Sequence, residues 1–120
     1  MSTAYQKAIQ RLWVGRATVT VLEGVLNPAN GRTEPMERVT VSEEPCRISH
    51  KTITSTQPHE EAARVTQTTV LYIAPSVEIP EGSKITVTQN GVSRDYARSG
   101  TPAVYTVHQE VPLELWERWA

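Results

Sequence analysis

Apolar and β-branched residues alternate with polar residues along short segments, and this two-residue period constrains the fold more than any other feature. In RATVTVLEG (16–24) an alanine and valines occupy odd positions and threonines the even ones between them, and ERVTVSE (37–43) repeats the pattern with Val39 and Val41. Because successive side chains of a strand point to opposite faces, both segments are predicted to be half-buried strands. The Asn-Pro and Asn-Gly pairs in LNPANGRTEP (26–35) predict a hairpin with a long connecting loop.

The rest of the chain shows the same organisation of short strands and turns. Strands are predicted from PCRISHK (45–51), from VTQTTVLYIAP (65–75), on both sides of an Asn90-Gly91 hairpin turn, and in AVYTVHQEV (103–111). Six or seven short strands separated by Gly, Pro and Asn turns predict a mainly β fold, a small antiparallel β-barrel or sandwich. The predicted interior residues are Val19, Val21, Val39, Val41, Cys46, Val70, Tyr72, Ile85, Val87 and Val104.

The two ends differ from this plan. A short N-terminal helix is predicted over residues 1–14, where apolar residues recur at helical spacing. In the C-terminal tail (111–120) Trp116 and Trp119 are three apart, so they share a face if the tail is helical. Trp13, Trp116 and Trp119 are interpreted either as covers for the core or as contacts for a partner.

Length and charge limit the classes of protein that fit. A chain of 120 residues is the size of one domain (1–120), and 12 basic against 13 acidic residues lack the excess that marks a dedicated duplex-DNA binder. There is no apolar run of transmembrane length and no signal-peptide core, so we expect a protein made in the cytosol with no membrane contact. The single cysteine, Cys46, excludes a disulfide within the chain and is expected to be a buried thiol.

The sequence offers no catalytic or metal-binding constellation. The histidines are His50, His59 and His108, and HEEAAR (59–64) lacks the second histidine that a zinc-binding helix requires. There is also no nucleophile elbow and no Gly-rich phosphate loop. We therefore expect a protein that is not an enzyme and that needs no metal or cofactor.

The order of segments resembles a family of tailed-phage proteins. CRISHKTITSTQ (46–57), an acidic Ala-rich segment and TTVLYIAPSVEIPEGSKITVTQNG (68–91) are similar to the head-completion, or stopper, proteins of the head-tail connector of siphophages and related prophages. The resemblance runs from about Asn27 to YTVHQEVPLELW (105–116). Its most specific part is YIAPSVEIPEGSKITV (72–87), and the two ends of the chain depart from shorter family members.

The resemblance implies a structural virion protein of the neck between capsid and tail. Such subunits form a homo-oligomeric ring, of six or twelve copies, below the portal and adaptor. The ring closes the DNA exit channel after packaging and provides the surface for tail attachment. The implied partners are the adaptor, a tail terminator or tail-completion protein, and packaged double-stranded DNA, which is held without sequence specificity.

The family's channel loop matches residues 51–64 of this chain. The residues assigned to this channel-gating loop are Lys51, Thr52, Ile53, Thr54, Ser55, Thr56, Gln57, Pro58, His59, Glu60, Glu61 and Arg64. A loop that faces a water-filled channel is expected to be polar, and one that reaches toward a ring axis is expected to be long.

Three alternatives stay open at this point. Residues 51–64 are also compatible with an ordinary surface loop. An oligonucleotide-binding barrel is disfavoured because Tyr72, Tyr96 and Tyr105 are too few to stack bases on adjacent strands. Another virion ring protein, an adaptor or a tail terminator, is a third possibility.

Overall fold

The protein is described by a computed structural model, which covers residues 4, 7, 8, 11–55 and 64–119. Its strands are β1 (Gly15–Asn27), β2 (Arg32–Ser55), β3 (Arg64–Ile73), β4 (Lys84–Gln89), β5 (Val92–Arg98), β6 (Ala103–Val104) and β7 (Gln109–Leu115). All the strand pairings are antiparallel. The prediction of a mainly β, antiparallel fold with six to seven strands is confirmed.

The sheet closes on itself. Its strand order is β3-β2-β1-β4-β5-β7-β6, and an additional pairing joins β3 to β7, so six strands form a hydrogen-bonded ring with β6 attached outside at β7. The ring encloses one apolar core, because alternate residues of each strand point inward. The core residues are Ala17, Val19, Cys46, Ile48, Leu71, Ile73, Ile79, Ile85, Val87, Tyr96, Val111 and Leu113.

β2 is one continuous strand where two were predicted, and it contains a bulge that changes which residues face the core. Val19 lies opposite Val41, but the next residue, Thr20, lies opposite Val39, so Thr40 is an extra residue in β2. A bulge of this kind reverses the alternation of faces on one side. Val39 is therefore 55% exposed, and the prediction that it is buried was wrong.

The connection between β1 and β2 is shorter than predicted. The strands remain paired as far as Asn27 and Arg32, which leaves a four-residue loop at 28–31. Gly31 has a φ of 69°, a conformation that glycine adopts without steric cost. The predicted long loop is thus a long hairpin with a compact tip.

The Asn90-Gly91 turn is confirmed, because Gln89 pairs with Val92 and both turn residues have positive φ, 53° and 76°.

The last predicted strand (103–111) is divided into β6 and β7, which form a small hairpin with each other. Val104 consequently lies on the outside with 64% exposure, so its assignment to the core was wrong.

The chain termini only partly follow the prediction. Helical backbone is found at residues 4, 7 and 8, whereas 11–12 form a turn and 13–14 are irregular. The remaining residues of the predicted helix lie outside the described part of the chain.

In the C-terminal tail, 109–115 form β7, and its ladder with β3 continues through Pro112. The Pro112 carbonyl accepts the Ser99 N–H at 2.9 Å.

Two hairpins extend beyond the ring and make the molecule elongated. We call residues 21–27 with 32–38 the β1–β2 arm, and 51–55 with 64–68 the β2–β3 arm. The molecule measures 61 × 45 × 27 Å with a radius of gyration of 17.6 Å, whereas a compact chain of this length has about 14 Å. Within the described residues, no helix is long and apolar enough to cross a membrane.

Cys46 lies at the point where β2 changes its pairing from β1 to β3, and its side chain is fully buried. Burial raises the pKa of the Cys46 thiol from 9.0 to about 12, with a smaller opposing effect from Arg16. Because the folded state keeps the proton while the unfolded chain loses it above about pH 9, this thiol lowers stability as the pH rises above 9.

We expect Cys46 to resist a thiolate-specific reagent at pH 8 in the native protein and to react quickly in urea, because the thiolate is the nucleophile. Absorbance of the released chromophore measures both rates. Equal rates in the two solvents would contradict the burial of this thiol.

Candidate functional site

The β2–β3 arm contains the residues that the sequence assigned to a channel loop. Residues 51–55 and 64 are not loop residues; they lie in paired strands, from Lys51 opposite Thr68 to Ser55 opposite Arg64. Residues 56–63, which include Thr56, Gln57, Pro58, His59, Glu60 and Glu61, lie outside the described residues. The described part of the predicted loop thus forms a hairpin.

The arm begins where β7 stops pairing with β3. In chain order, Thr69 is the first residue of β3 that pairs with β7, and it lies opposite His50 of β2. Five residues of β2 follow His50, and at about 3.3 Å per residue they carry the end of the strand about 17 Å away from the ring. His50 Nδ1 and Thr69 Oγ1 lie 3.0 Å apart at the base of the arm.

Gln89, the last residue of β4, bonds to the backbone of β2 at the base of the arm. Gln89 Oε1 accepts the Ile48 N–H at 2.8 Å, and Gln89 Nε2 donates to the Ile48 carbonyl at 3.2 Å. The amide thus replaces one residue of strand pairing on the edge that β1 leaves at Gly15. Beyond Ile48, no described strand pairs with this edge of β2, so the arm is a two-stranded ribbon with an open edge.

The β1–β2 arm is a second projection, and the sequence did not predict it. β1 pairs with β4 only over 16–20, yet it remains paired with β2 as far as Asn27. The large apolar residues exposed on this arm are Leu22, Val25, Leu26 and Met36. Alternating valines and leucines predict a buried strand whether or not a core lies beside them, so the sequence contained no signal that separates this arm from the ring.

Trp116 and Trp119 form a cluster on the outside of the ring. Their rings are in edge-to-face contact at 4.6 Å, and Lys84 Nζ lies 6.0 and 5.7 Å from the two ring centres. Trp119 Nε1 donates to Glu37 Oε1 at 2.9 Å, and the Lys84 ammonium lies 3.5 Å from the same oxygen. Both indoles are half-buried, which leaves part of each surface accessible.

Trp13 differs from the two tail tryptophans. Its side chain is only 6% exposed, so the ring has little surface to offer a partner. The interpretation that Trp13 covers the core fits this burial better than the interpretation as a partner contact. A contact through Trp116 and Trp119 stays a prediction.

The histidines lie in separate surroundings. His108 stacks on Tyr105 with ring centres 4.9 Å apart, and its Nε2 lies 3.7 Å from a Glu110 carboxylate oxygen. His50 lies at the base of the β2–β3 arm, and His59 falls outside the described residues. In the part of the chain that the structure describes, no group of three His, Cys, Asp or Glu side chains is placed to hold a metal ion.

Comparisons with known proteins give one weak similarity. No family model matches the sequence, and no curated protein matches it significantly. Among solved structures, a protein of the phage-like element PBSX, xkdH from Bacillus subtilis, matches with 14% sequence identity and a TM-score of 0.48, over 83% of this chain and 91% of that one. This similarity is too low to assign a family or a function.

Proposed function

We propose that this chain is a structural subunit of a phage head-tail connector, a head-completion or stopper protein that forms a ring and closes the DNA exit channel. The observation that carries the proposal is the β2–β3 arm, which extends away from the ring of strands and ends at the polar segment 56–63. A paired hairpin is a suitable support for a plug, because its two strands extend away from the subunit core. The order of segments from CRISHKTITSTQ to the QNG turn supports the same assignment.

The charges of the tip suit a plug that holds DNA and later releases it. Lys51 and Arg64 on the arm balance Glu60 and Glu61 in the segment between its strands. A strongly basic tip would bind phosphates through many salt-sensitive contacts, and each contact would slow release. An arm and tip without excess positive charge block the channel by occupying it and do not bind the duplex tightly.

The proposal places the subunit in the virion neck, between the adaptor on the portal side and a tail terminator or tail-completion protein on the other. The open edge of β2 and the half-buried Trp116–Trp119 cluster are surfaces available for neighbours. Among the alternatives, an adaptor is expected to be mainly helical, and the seven-strand fold argues against it. An oligonucleotide-binding role has less support, because Tyr96 is 5% exposed and is not available for base stacking.

The assembly behaviour tests this proposal. We expect the purified subunit to be monomeric in dilute solution and to form a closed ring when it is added to portal–adaptor complexes, because each heterologous contact is weak until symmetry multiplies it. Light scattering measures the free subunit, and electron microscopy of the mixture shows the ring. A stable twofold dimer as the sole assembled form would contradict the proposal.

A further inference from the structure

A groove lies beside the base of the β1–β2 arm. It has a volume of about 810 Å³ and is bounded by the arm, by the following part of β2 and by residues 76–80. We call it the acidic groove. Its half-buried apolar residues are Val21, Val41, Val77 and Pro80, and its carboxylates belong to Glu23, Glu44 and Glu78.

The charges in the groove are not balanced within the subunit. Arg38, the only basic residue of the lining, binds Glu23 through its Nε at 2.9 Å. Among the described residues, Glu44 and Glu78 have no ion-pair partner. The groove therefore favours an occupant that combines an apolar side chain with one positive charge.

The tip of the β1–β2 arm contains several hydrogen bonds within the loop. Asn27 Oδ1 accepts the Ala29 N–H at 2.9 Å, and the Asn27 carbonyl accepts the Gly31 N–H at 2.8 Å. Asn30 Oδ1 accepts the Arg32 N–H at 2.9 Å. A preordered loop loses little conformational entropy on binding, so this tip is suited to recognition.

The tip presents the chemistry that the groove lacks. Leu26 is 63% exposed, and Arg32 is exposed with no ion-pair partner among the described residues. The nearest acidic residue of the tip, Glu34, accepts hydrogen bonds from the amides of Asn27 and Asn30, at 3.4 and 3.3 Å. Leu26 lies opposite Thr33 and Arg32 lies opposite Asn27, so the two side chains point to opposite faces of the hairpin end. The tip thus offers one apolar side chain and one free positive charge to opposite sides of a groove that it enters end-on.

We propose that the arm tip of one copy of this chain binds end-on in the acidic groove of a second copy, with Leu26 against the apolar lining residues and Arg32 beside Glu44 and Glu78. A subunit cannot fill its own groove in this way, because Leu26 lies three residues beyond Glu23, the outermost groove residue of β1, and the extended strand carries it about 10 Å away from the groove. The contact joins two different surfaces, so repeating it generates a ring or a chain of copies. It requires only a second copy, and it stands whether or not the assembly closes a DNA channel.

Disulfide trapping tests the contact even where it is weak. Leu26→Cys protein is mixed with Ser76→Cys protein, and in a control with Thr101→Cys protein; Ser76 and Thr101 are both exposed polar residues outside strands, and only Ser76 lines the groove. Buried Cys46 gives little background. Under mild oxidation we expect the Leu26–Ser76 pair to form mixed dimers about tenfold faster than the control pair. Equal rates for the two pairs would overturn the proposal.

A charge exchange tests the ionic part separately. Arg32→Glu in the Leu26→Cys chain is expected to slow trapping about tenfold, and Glu44→Arg with Glu78→Arg in the Ser76→Cys chain is expected to restore it. Arg118→Glu, which changes an exposed charge in the tail, serves as the control and is expected to leave the rate unchanged. Trapping that does not respond to Arg32→Glu would also overturn the proposal.

Discussion

Replacing Ile85 with alanine is expected to lower the free energy of unfolding by about 2–5 kcal/mol, because the change removes a fully buried side chain and leaves a cavity. Ile85 is at 0% exposure in β4 and lies between Val19 of β1 and Tyr96 of β5. The ring encloses a single core, so few neighbouring residues are free to move into the space. Urea denaturation followed by circular dichroism measures the loss.

Val104→Ala is the matched control for this experiment. It also shortens a β-branched residue in a strand, but Val104 is 64% exposed in β6, outside the ring. We expect a change within about 0.5 kcal/mol, as for other surface substitutions. If Ile85→Ala were as mild as Val104→Ala, β4 would not line the core and the closed ring would be wrong.

Parts of the fold were predictable from the sequence because local chemistry decides them. The Asn90-Gly91 turn needs two residues with positive φ, and few residue types other than Asn and Gly adopt that conformation readily. Val19, Ile85 and Val87 follow a regular two-residue period and are buried as predicted. In these segments the two-residue apolar period and the residues of the turn predict the same structure.

Other parts depend on partners that are distant in sequence. The bulge at Thr40 exposes Val39, although Val39 and Val41 share one face in a regular strand. β1 pairs with both β2 and β4 only as far as Thr20, because β4 starts at Lys84. The residues of β1 do not show where this pairing with β4 ends. For this reason the β1–β2 arm and its exposed apolar residues were not predicted.

The sequence predicted the position of the channel loop correctly between two strands, but it placed the ends of the loop too far into those strands. The polar character of 56–63 and its position between two strands were readable, but 51–55 alternate β-branched and polar residues and are equally compatible with a loop or a strand. The structure resolves this ambiguity, since Ser55 pairs with Arg64. The segment that a deletion should remove is therefore 56–63.

Replacing 56–63 with a short Gly/Ser linker is expected to leave the fold intact and to abolish DNA retention. Loop-closure entropy depends weakly on length, so the free energy of unfolding should change by at most about 1 kcal/mol. The paired strands from Lys51 to Thr68 stay in place, and the arm loses only its tip. Thermal unfolding of the purified subunit checks the first expectation, and the properties of filled heads check the second.

Two variants separate the reach of the tip from its chemistry. One carries the short linker, and the other replaces all eight residues with Gly/Ser at the original length. If the tip closes the channel by occupying it, the full-length replacement should retain more DNA than the short linker. Equal leakage from both would indicate that the side chains of 56–63 are required for closure.

The central claim is that the end of the β2–β3 arm keeps packaged DNA inside the head. The direct measurement is the fraction of DNA open to nuclease in purified tailless heads, assembled with the parent protein or with the short-linker variant. We predict that parent heads protect their genome, and that variant heads package DNA and then lose it before tails attach. Variant heads that protect their DNA as well as parent heads would contradict the claim, and segment 56–63 would then have no role in DNA retention.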